Sequence, residues 1–308
     1  MKKFIITIDT EGDNLWKWKE GEDITTNNVQ FLQRFQDLCN KFSFKPVWLS
    51  NWEMINDDNF VEFIKRNQDN CELGMHLHAW NTPPFYELPK SSKSGAPYLI
   101  EYPSDVMEEK IKNITKLFAE KFGYVPQTHR AGRWAVNDVY FKLLRKYGYK
   151  IDCSVTPKIN WKKSYGQTPG FAGPDYTKEK QEISFHEGIM EVPVTVKRTH
   201  RIILPDSFSL YNLLLAGYYS IINKPVWLRP NGNNLNRLKW LVDYVEGSEQ
   251  EYLMFMLHSS ELMPGGSPTF KDDKDIEKLY VDLESLFEYV SKKYEGTDLK
   301  TIRENENL

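Results

Sequence analysis

Two histidines, His76 and His78, stand two residues apart at the end of an apolar stretch that covers residues 71–78. Side chains alternate between the two faces of a β-strand, so this spacing puts both imidazoles on the same face. Two imidazoles on one face can bind the same metal ion. The alternative interpretation is that both rings are buried and hydrogen-bonded to their neighbours without a metal.

Two carboxylates repeat this spacing near the start of the chain. Asp9 and Glu11 follow the apolar run of residues 4–8, and strand alternation again places them on one face. A carboxylate beside two imidazoles, with positions left open for water, is typical of a hydrolytic metal site, where the metal activates water and polarises a carbonyl group. Because Gly12 and Asp13 come next, a solvated turn is the alternative.

A further histidine closes the most apolar run of the chain. His258 ends residues 251–258, a stretch typical of a buried strand. The imidazole is either packed in the core or an acid that faces the active site. The metal site predicted at the ends of other strands favours the acid.

Two arginines follow another strand-like run. Arg130 and Arg133 flank an Ala-Gly pair, Trp134 comes next, and Asp152 falls within the following strand-like run. A guanidinium can brace a carboxylate through a bidentate contact. The alternative for both arginines is a solvated loop.

Apolar runs of strand length alternate with segments of helical periodicity along the whole chain. Strands are predicted at residues 4–9, 46–50, 71–78, 127–130, 150–155, 191–196, 225–228 and 251–258. Helices are predicted at residues 27–40, 60–64, 106–122, 137–147, 207–222, 235–245 and 273–294. This order predicts an α/β fold, a deformed barrel of seven or eight βα units, as one domain over residues 1–308. The polar residues above end strands, which is where such barrels build active sites.

Two long segments interrupt the alternation, at residues 79–103 and 156–190. Loops of this length in a compact domain are usually functional. The first segment carries Trp80, Phe85, Tyr86 and Tyr98, and aromatic faces stack on sugar rings. We expect both loops to wall the site, although the first could simply pack on the barrel rim.

Composition narrows the class of protein. The 40 basic and 43 acidic residues give a net charge of −3, so no overall field favours nucleic acid or an acidic membrane. The three cysteines show no CxxC spacing, which fits a reducing compartment. The first apolar run is too short for a signal peptide, and no run approaches the ~18 residues of a membrane helix. These features predict a cytoplasmic protein without a membrane span.

Five motifs in order resemble the NodB-like polysaccharide deacetylases (carbohydrate esterase family 4), most closely their WalW-like branch. The motifs run from Asp9 to His258 and so span nearly the whole chain. They are Thr-Ile-Asp-Thr-Glu-Gly at 7–12, Gly-Met-His-Leu-His at 74–78, Arg-Ala-Gly-Arg-Trp at 130–134, Asp152, and Leu-His at 257–258.

The resemblance implies a deformed (β/α) barrel that removes N- or O-acetyl groups from sugars with a divalent metal ion. It also implies four catalytic roles. Asp9 would be the general base, Arg130 would brace Asp9, His258 would be the general acid, and Asp152 would tune His258.

This chain departs from the family pattern at two metal ligands. The second aspartate of the first motif is Thr10 here, so Glu11 takes its place, with Asp13 in reserve. The two family histidines are normally four residues apart, but Trp80 stands four after His76, so His78 must serve. The predicted ligands are Glu11, His76 and His78, with zinc as the first choice of metal and cobalt, nickel, manganese or iron as alternatives.

The predicted function is deacetylation of an acetylated sugar or glycan precursor in cell-surface polysaccharide synthesis, with Trp80, Arg133 and Trp134 contacting the substrate. Two alternatives stay open. One is a metal-dependent amidohydrolase of a small non-sugar amide on the same barrel. The other is an inactive glycan-binding member of the fold.

Overall fold

The structure is a computed structural model that describes residues 1–90 and 95–305. Its strands are β1 (Lys2–Thr10), β2 (Pro46–Ser50), β3 (Glu72–Leu77), β4 (Thr128–Ala131), β5 (Ile151–Asp152), β6 (Ser184–His186), β7 (Ile189–Glu191), β8 (Val196–Lys197), β9 (Val226–Trp227), β10 (Tyr252–His258) and β11 (Tyr294–Thr297). Its α-helices are α1 (Leu32–Lys41), α2 (Trp52–Asn56), α3 (Asp58–Asn67), α4 (Ser104–Phe122), α5 (Asp138–Lys146), α6 (Leu210–Ile221), α7 (Leu235–Glu246), α8 (Asp273–Ser291) and α9 (Leu299–Asn305).

The chain divides into two compact units. Unit 1 comprises residues 1–8, 12–46 and 195–298, and unit 2 comprises residues 9–11, 47–194 and 299–308. The single domain predicted over residues 1–308 stays a prediction. None of the helices in the described part of the chain is long and apolar enough to cross a membrane.

Unit 2 is built on a mostly parallel sheet. Its strand order is β2-β3-β4-β5-β7-β6, every neighbouring pair is parallel except β7 and β6, and β6 forms the edge. Helices α3, α4 and α5 connect successive strands, because a parallel pair needs a crossover rather than a hairpin. The strands are buried along nearly their whole length, so β2 is mainly apolar and the polar side chains of β3 and β4, His76, His129 and Arg130, are buried as well.

Local signals start and stop these helices. The side chain of Asp57 accepts hydrogen bonds from the first backbone amides of α3, and Asn137 caps α5 in the same way. Helix α4 ends at Phe122 and is capped by Gly123, whose φ of 80° is the left-handed conformation that glycine adopts without strain. Side-chain caps therefore mark the starts of α3 and α5, and a glycine marks the end of α4.

Unit 1 holds residues 2–8 of β1, a strand that neighbours β10 and pairs in parallel with β11. Its core is aromatic, since the ring of Phe287 packs edge-on against those of Phe4, Phe44 and Phe255 at centroid distances of 5.5–5.9 Å. Strands β8 and β9 form a separate two-stranded antiparallel sheet in this unit.

A strand was predicted at residues 225–228 as part of the parallel sheet, and its place in that sheet was wrong. Residues 226–227 pair antiparallel with residues 196–197 instead. The predicted strand at 191–196 is divided between β7, which ends at Glu191, and β8. Strands β6 and β11 and helix α9 were not predicted, because segments of three to seven residues carry too little periodicity to be recognised. The alternation of strands and helices that defines the α/β class is confirmed.

Candidate active site

Three predicted metal ligands lie together in unit 2. The carboxylate of Glu11 and the imidazoles of His76 and His78 offer ligand atoms that all lie within 4.8 Å of one another. All three residues are buried, with exposed fractions of 3–7%. Among residues 1–90 and 95–305 this is the one such cluster of histidine, cysteine and carboxylate side chains. Asp13, the reserve ligand, is not part of it.

The separations of the ligand atoms fit a metal ion. Glu11 Oε2 lies 3.6 Å from His76 Nε2 and 3.1 Å from His78 Nε2, and the two Nε2 atoms are 3.0 Å apart. Ligands about 2.0–2.1 Å from one ion are about 3.0 Å apart at right angles and about 3.4 Å apart at tetrahedral angles. The three side chains therefore fit a single divalent ion.

His76 is held in the tautomer that a metal requires. Its Nδ1 lies 3.0 Å from the backbone oxygen of Arg130, which can only accept, so Nδ1–H donates and Nε2 keeps a lone pair. Burial lowers the pKa of His76, but the carboxylates of Asp9 and Glu11 raise it more, so the net shift is upward. The register of β3 and β4 pairs His76 with Arg130 and thereby fixes this contact.

His78 has a more apolar environment. Its ring stacks on Trp80 with centroids 4.3 Å apart, and its Nδ1 lies 3.5 Å from Nδ2 of Asn51. The backbone N–H of Asn51 donates to Thr10 O, so Asn51 also contacts the segment that carries Glu11. Burial lowers the pKa of His78, which favours the neutral imidazole that a metal ion binds.

Asp9 is paired with a fully buried arginine. Nη1 of Arg130 donates to Oδ1 of Asp9 at 2.6 Å, and Nε donates to the backbone oxygen of Cys153 at 3.0 Å. Burial lowers the pKa of Arg130, but the carboxylate of Asp9 raises it by more, so the net shift of the pKa is upward. The contact expected between Arg130 and Asp9 is thus present, while their catalytic roles stay predictions.

Asp152 belongs to a buried network that sequence reasoning missed. Its Oδ1 lies 2.5 Å from Nδ1 of His129, whose Nε2 lies 2.7 Å from the hydroxyl of Tyr140. Ser154 donates to Asp152 through both its backbone N–H and its hydroxyl. Glu191 faces Asp152 in the β5–β7 register, and burial together with the Asp152 charge raises the pKa of Glu191 well above its usual value.

This network gives Asp152 structural partners in addition to the role predicted for it, the tuning of His258. A histidine at position 129 in a strand-like run offered no spacing to a second ligand, so the sequence did not distinguish it from an ordinary core residue. In the structure both of its ring nitrogens have partners within unit 2. His129 is therefore not available to a metal ion.

His258 lies in unit 1 beside a carboxylate that was not predicted. Oε2 of Glu261 accepts from the backbone N–H of His258 at 2.9 Å and lies 3.3 Å from its Nδ1, while Arg229 binds Oε1 at 3.0 Å. Burial raises the pKa of Glu261, but Arg229 and His258 lower it more, so it stays ionised. Trp16 packs edge-on to the imidazole at 5.1 Å. The signal was Glu261 three residues after a strand-ending histidine, a spacing that closes a capping box.

The predicted substrate contacts Arg133 and Trp134 form a strained turn. Their φ values are 59° and 67°, a left-handed region that costs about 1–3 kcal/mol per non-glycine residue. The Arg133 guanidinium donates to Ala96 O, Ser164 Oγ and Tyr165 O, and so ties the two long loops to this turn. The roles of Arg133, Trp134 and Trp80 in substrate binding stay predictions.

No protein-family model and no curated protein matches this sequence. Solved structures do. A polysaccharide deacetylase from Mycobacterium smegmatis, named as putative, aligns with 99% of this chain and 90% of its own at a TM-score of 0.53 and 12% identity. The 4-alpha-glucanotransferase of Thermococcus litoralis aligns with 99% of this chain but 38% of its own, at a TM-score of 0.51 and 12% identity. A peptidoglycan deacetylase from Bacillus subtilis gives a TM-score of 0.43 at 10% identity over 99% of this chain and 92% of its own.

At such identities the similarity shows a shared fold. The match to the first structure covers both chains almost completely. It confirms the predicted fold class, a deformed α/β barrel of the deacetylase type.

Proposed function

We propose that the protein is a metal-dependent deacetylase that hydrolyses acetyl groups from an acetylated sugar or glycan precursor. The observation that carries the proposal is the cluster of Glu11, His76 and His78, whose ligand atoms all lie within 4.8 Å of one another. The carboxylate of Asp9 contributes to the pKa of His76 and so acts on the same site. In the resemblance to NodB-like enzymes, Asp9 corresponds to the base and His76 to a metal ligand, while Glu11 and His78 take the place of family ligands at neighbouring positions.

A divalent ion held by Glu11, His76 and His78 would supply Lewis acidity toward the acetyl carbonyl and would acidify bound water. The protein groups do the rest. Asp9 takes the proton of the attacking water, and its 2.6 Å contact with Arg130 holds the carboxylate in position. We assign the general acid to His258. Its Nδ1 lies 3.3 Å from Oε2 of Glu261, which orients the ring, and His258 protonates the leaving sugar nitrogen or oxygen.

The sugar class is supported by aromatic side chains of unit 2. Phe85 and Tyr86 in the first long loop are 77% and 47% exposed, and Trp80 of the same loop lies on His78. Rings that sit beside a hydrolytic centre can stack on the apolar faces of a sugar. Since both terminal nitrogens of Arg133 already donate to the loops, we propose that Arg133 shapes this surface rather than binding substrate directly.

The test combines metal analysis with acetate release. Purified protein is supplied with zinc or cobalt and incubated with N-acetylated and O-acetylated sugars, with simple aryl acetates and with small non-sugar amides. We expect acetate from an acetylated sugar, and no acetate from the His76→Ala variant. Release from small amides but from no acetylated sugar would favour an amidohydrolase, and failure to retain any metal would overturn the proposal.

A further inference from the structure

Helix α6 in unit 1 exposes large apolar side chains along most of its surface. We define the apolar ridge as Phe208, Leu210, Tyr211, Leu214, Tyr218 and Ile221, which are between 55% and 78% exposed. Within α6 itself only Ala216 and Ser220 are buried. Its twelve residues include no charged side chain.

A surface helix of a globular protein normally turns a polar face to water. Single exposed apolar residues need no explanation, but a contiguous set marks an interaction surface. At 1.5 Å per residue the helix is about 18 Å long, so the ridge is large enough to seat a partner. The apolar composition of the ridge therefore indicates that it contacts an apolar partner outside unit 1.

The surroundings of the ridge are strongly basic. Residues 195–240 contain seven Lys and Arg and a single acidic residue, although the whole chain has a net charge of −3. The single acid, Asp206, is occupied at the start of α7, where its carboxylate accepts from the backbone amides of Leu235 and Asn236 at 2.7 and 2.8 Å. Arg229 is paired with the buried Glu261, which leaves six other Lys and Arg in this stretch against one occupied acid.

Several of these cations lie against α6 itself. Arg198 donates to the backbone oxygen of Asn223, just after the helix, at 2.8 Å. The Lys224 ammonium is 3.7 Å from the ring centroid of Tyr219, and the Arg237 guanidinium is 5.3 Å from the same centroid. Cations therefore border the side of the ridge toward its C-terminal end.

A groove adjoins this basic region in the same unit. It encloses about 490 Å³ and is lined by Arg201, Ile202, Lys239, Trp240 and Tyr244, among others. Asp243 also lines it, but this carboxylate is paired with Lys293 at 2.7 Å. Arg201 and Lys239 can bind a phosphate group, and the apolar and aromatic side chains beside them can contact an acyl chain attached to it.

We propose that the apolar ridge and the cationic groove dock unit 1 on the surface of a bilayer that contains anionic phospholipid. Apolar and aromatic side chains enter the boundary between headgroups and acyl chains, while Lys and Arg bind the headgroup phosphates. A second copy of the chain is a poorer partner, because pairing through this face would bring two basic surfaces together. The proposal does not depend on the deacetylase activity.

The test is flotation of the full chain with lipid vesicles. We expect binding to vesicles of phosphatidylcholine mixed with phosphatidylglycerol, weaker binding to phosphatidylcholine alone, and release by salt. Leu214→Glu should weaken binding at least about tenfold, since a charge would replace an exposed leucine that enters the boundary between headgroups and acyl chains. Lys239→Glu should weaken it by more than about fivefold, the loss expected for removing one cation alone.

Matched substitutions outside the surface control for charge and folding. Val281→Glu places an acid at another exposed apolar position of unit 1, 66% exposed on α8, and Lys274→Glu reverses another exposed charge. Both variants should float like the wild type. Wild type that fails to float with anionic vesicles, or Leu214→Glu that floats unchanged, would overturn the proposal. So would self-association of the wild type that Leu214→Glu abolishes without any vesicle binding.

Discussion

Three buried histidines of unit 2 differ mainly in what their second ring nitrogen contacts. His76 uses Nδ1 to donate to a backbone oxygen and keeps Nε2 for the cluster with Glu11 and His78. His129 uses both nitrogens, for a carboxylate and a tyrosine hydroxyl. Burial lowers the pKa of His78 and of His129 alike, so burial does not separate a ligand from a core histidine. The hydrogen-bond partners do.

Loss of one cluster residue should release the metal. His76→Ala or Glu11→Gln should weaken zinc affinity by at least about a hundredfold, because even groups that only orient a ligand contribute 10–100-fold. Titration calorimetry and metal analysis measure this. His186→Ala is the control, since His186 lies in the same unit on β6 and contacts Ser184 instead. Zinc bound equally well by His76→Ala would contradict the site.

Asp9 should be needed for rate rather than for metal binding. Asp9→Asn keeps an acceptor for Arg130 but removes the base, so kcat should fall about 10²–10⁴-fold while the zinc affinity stays close to that of the wild type. The variant leaves a buried guanidinium without its counter-charge, so thermal denaturation must show that it still folds. If Asp9→Asn loses zinc, Asp9 is a ligand and the assigned base is wrong.

Glu261 should position His258 without touching substrate. Glu261→Gln should lower kcat about tenfold with little change in KM, because a neutral amide orients and stabilises a protonated imidazole less well than a carboxylate. The hydrogen-bonded Nδ1 proton of His258 should weaken or vanish from the NMR spectrum. Glu249→Gln, an exposed carboxylate of the same unit, is the control. An unchanged kcat would mean that Glu261 only closes the turn.

At the scale of elements, the close packing of the turn after β4 explains why position 132 is a glycine. A Cβ on Gly132 would lie 2.5 Å from the backbone oxygen of Leu77 and 2.6 Å from the His78 ring. The turn that bears two strained residues, Arg133 and Trp134, thus packs directly on a predicted metal ligand. Its close approach is possible only without a side chain at position 132.

Gly132→Ala should therefore impair both stability and metal binding. We expect a loss of about 1–3 kcal/mol in the free energy of unfolding, the usual cost of overpacking, and weaker zinc affinity because His78 is displaced. Gly217→Ala is the matched control, since no atom lies within 4 Å of the added methyl group. As a helical position, it should be neutral or slightly stabilising. Equal effects of the two substitutions would contradict the packing argument.

Elements with a full repeat were predictable, and short ones were not. Strand alternation located β3 and placed His76 and the following His78 together, and an apolar run located β10. Strands β5 and β9 have two residues each, so their pairing is decided by neighbours that the local sequence does not reveal. Glu261 was not predicted for the same reason, since its contact with His258 depends on the geometry of a turn and not on a sequence repeat.

At the scale of the whole molecule, net charge concealed a local asymmetry. The net charge of −3 favours binding to neither nucleic acid nor an anionic membrane. Residues 195–240 nevertheless hold seven basic residues and one acidic residue. The helical period of α6 was readable from its sequence. That its apolar side chains face water was not, because burial depends on which elements cover a helix.

Metal binding should stabilise the folded protein, since the unfolded chain does not hold Glu11, His76 and His78 together. Zinc at a free concentration of about 100 times its Kd should add about 2.7 kcal/mol to the free energy of unfolding. For a chain of this length that corresponds to a rise in Tm of about 4 °C. Differential scanning fluorimetry with zinc, and with zinc followed by a chelator, should show the rise and its reversal. Glu11→Gln should abolish the shift while Asp9→Asn keeps it, because only the first substitution removes a predicted ligand. A Tm that zinc raises equally in Glu11→Gln would place the ion at another site.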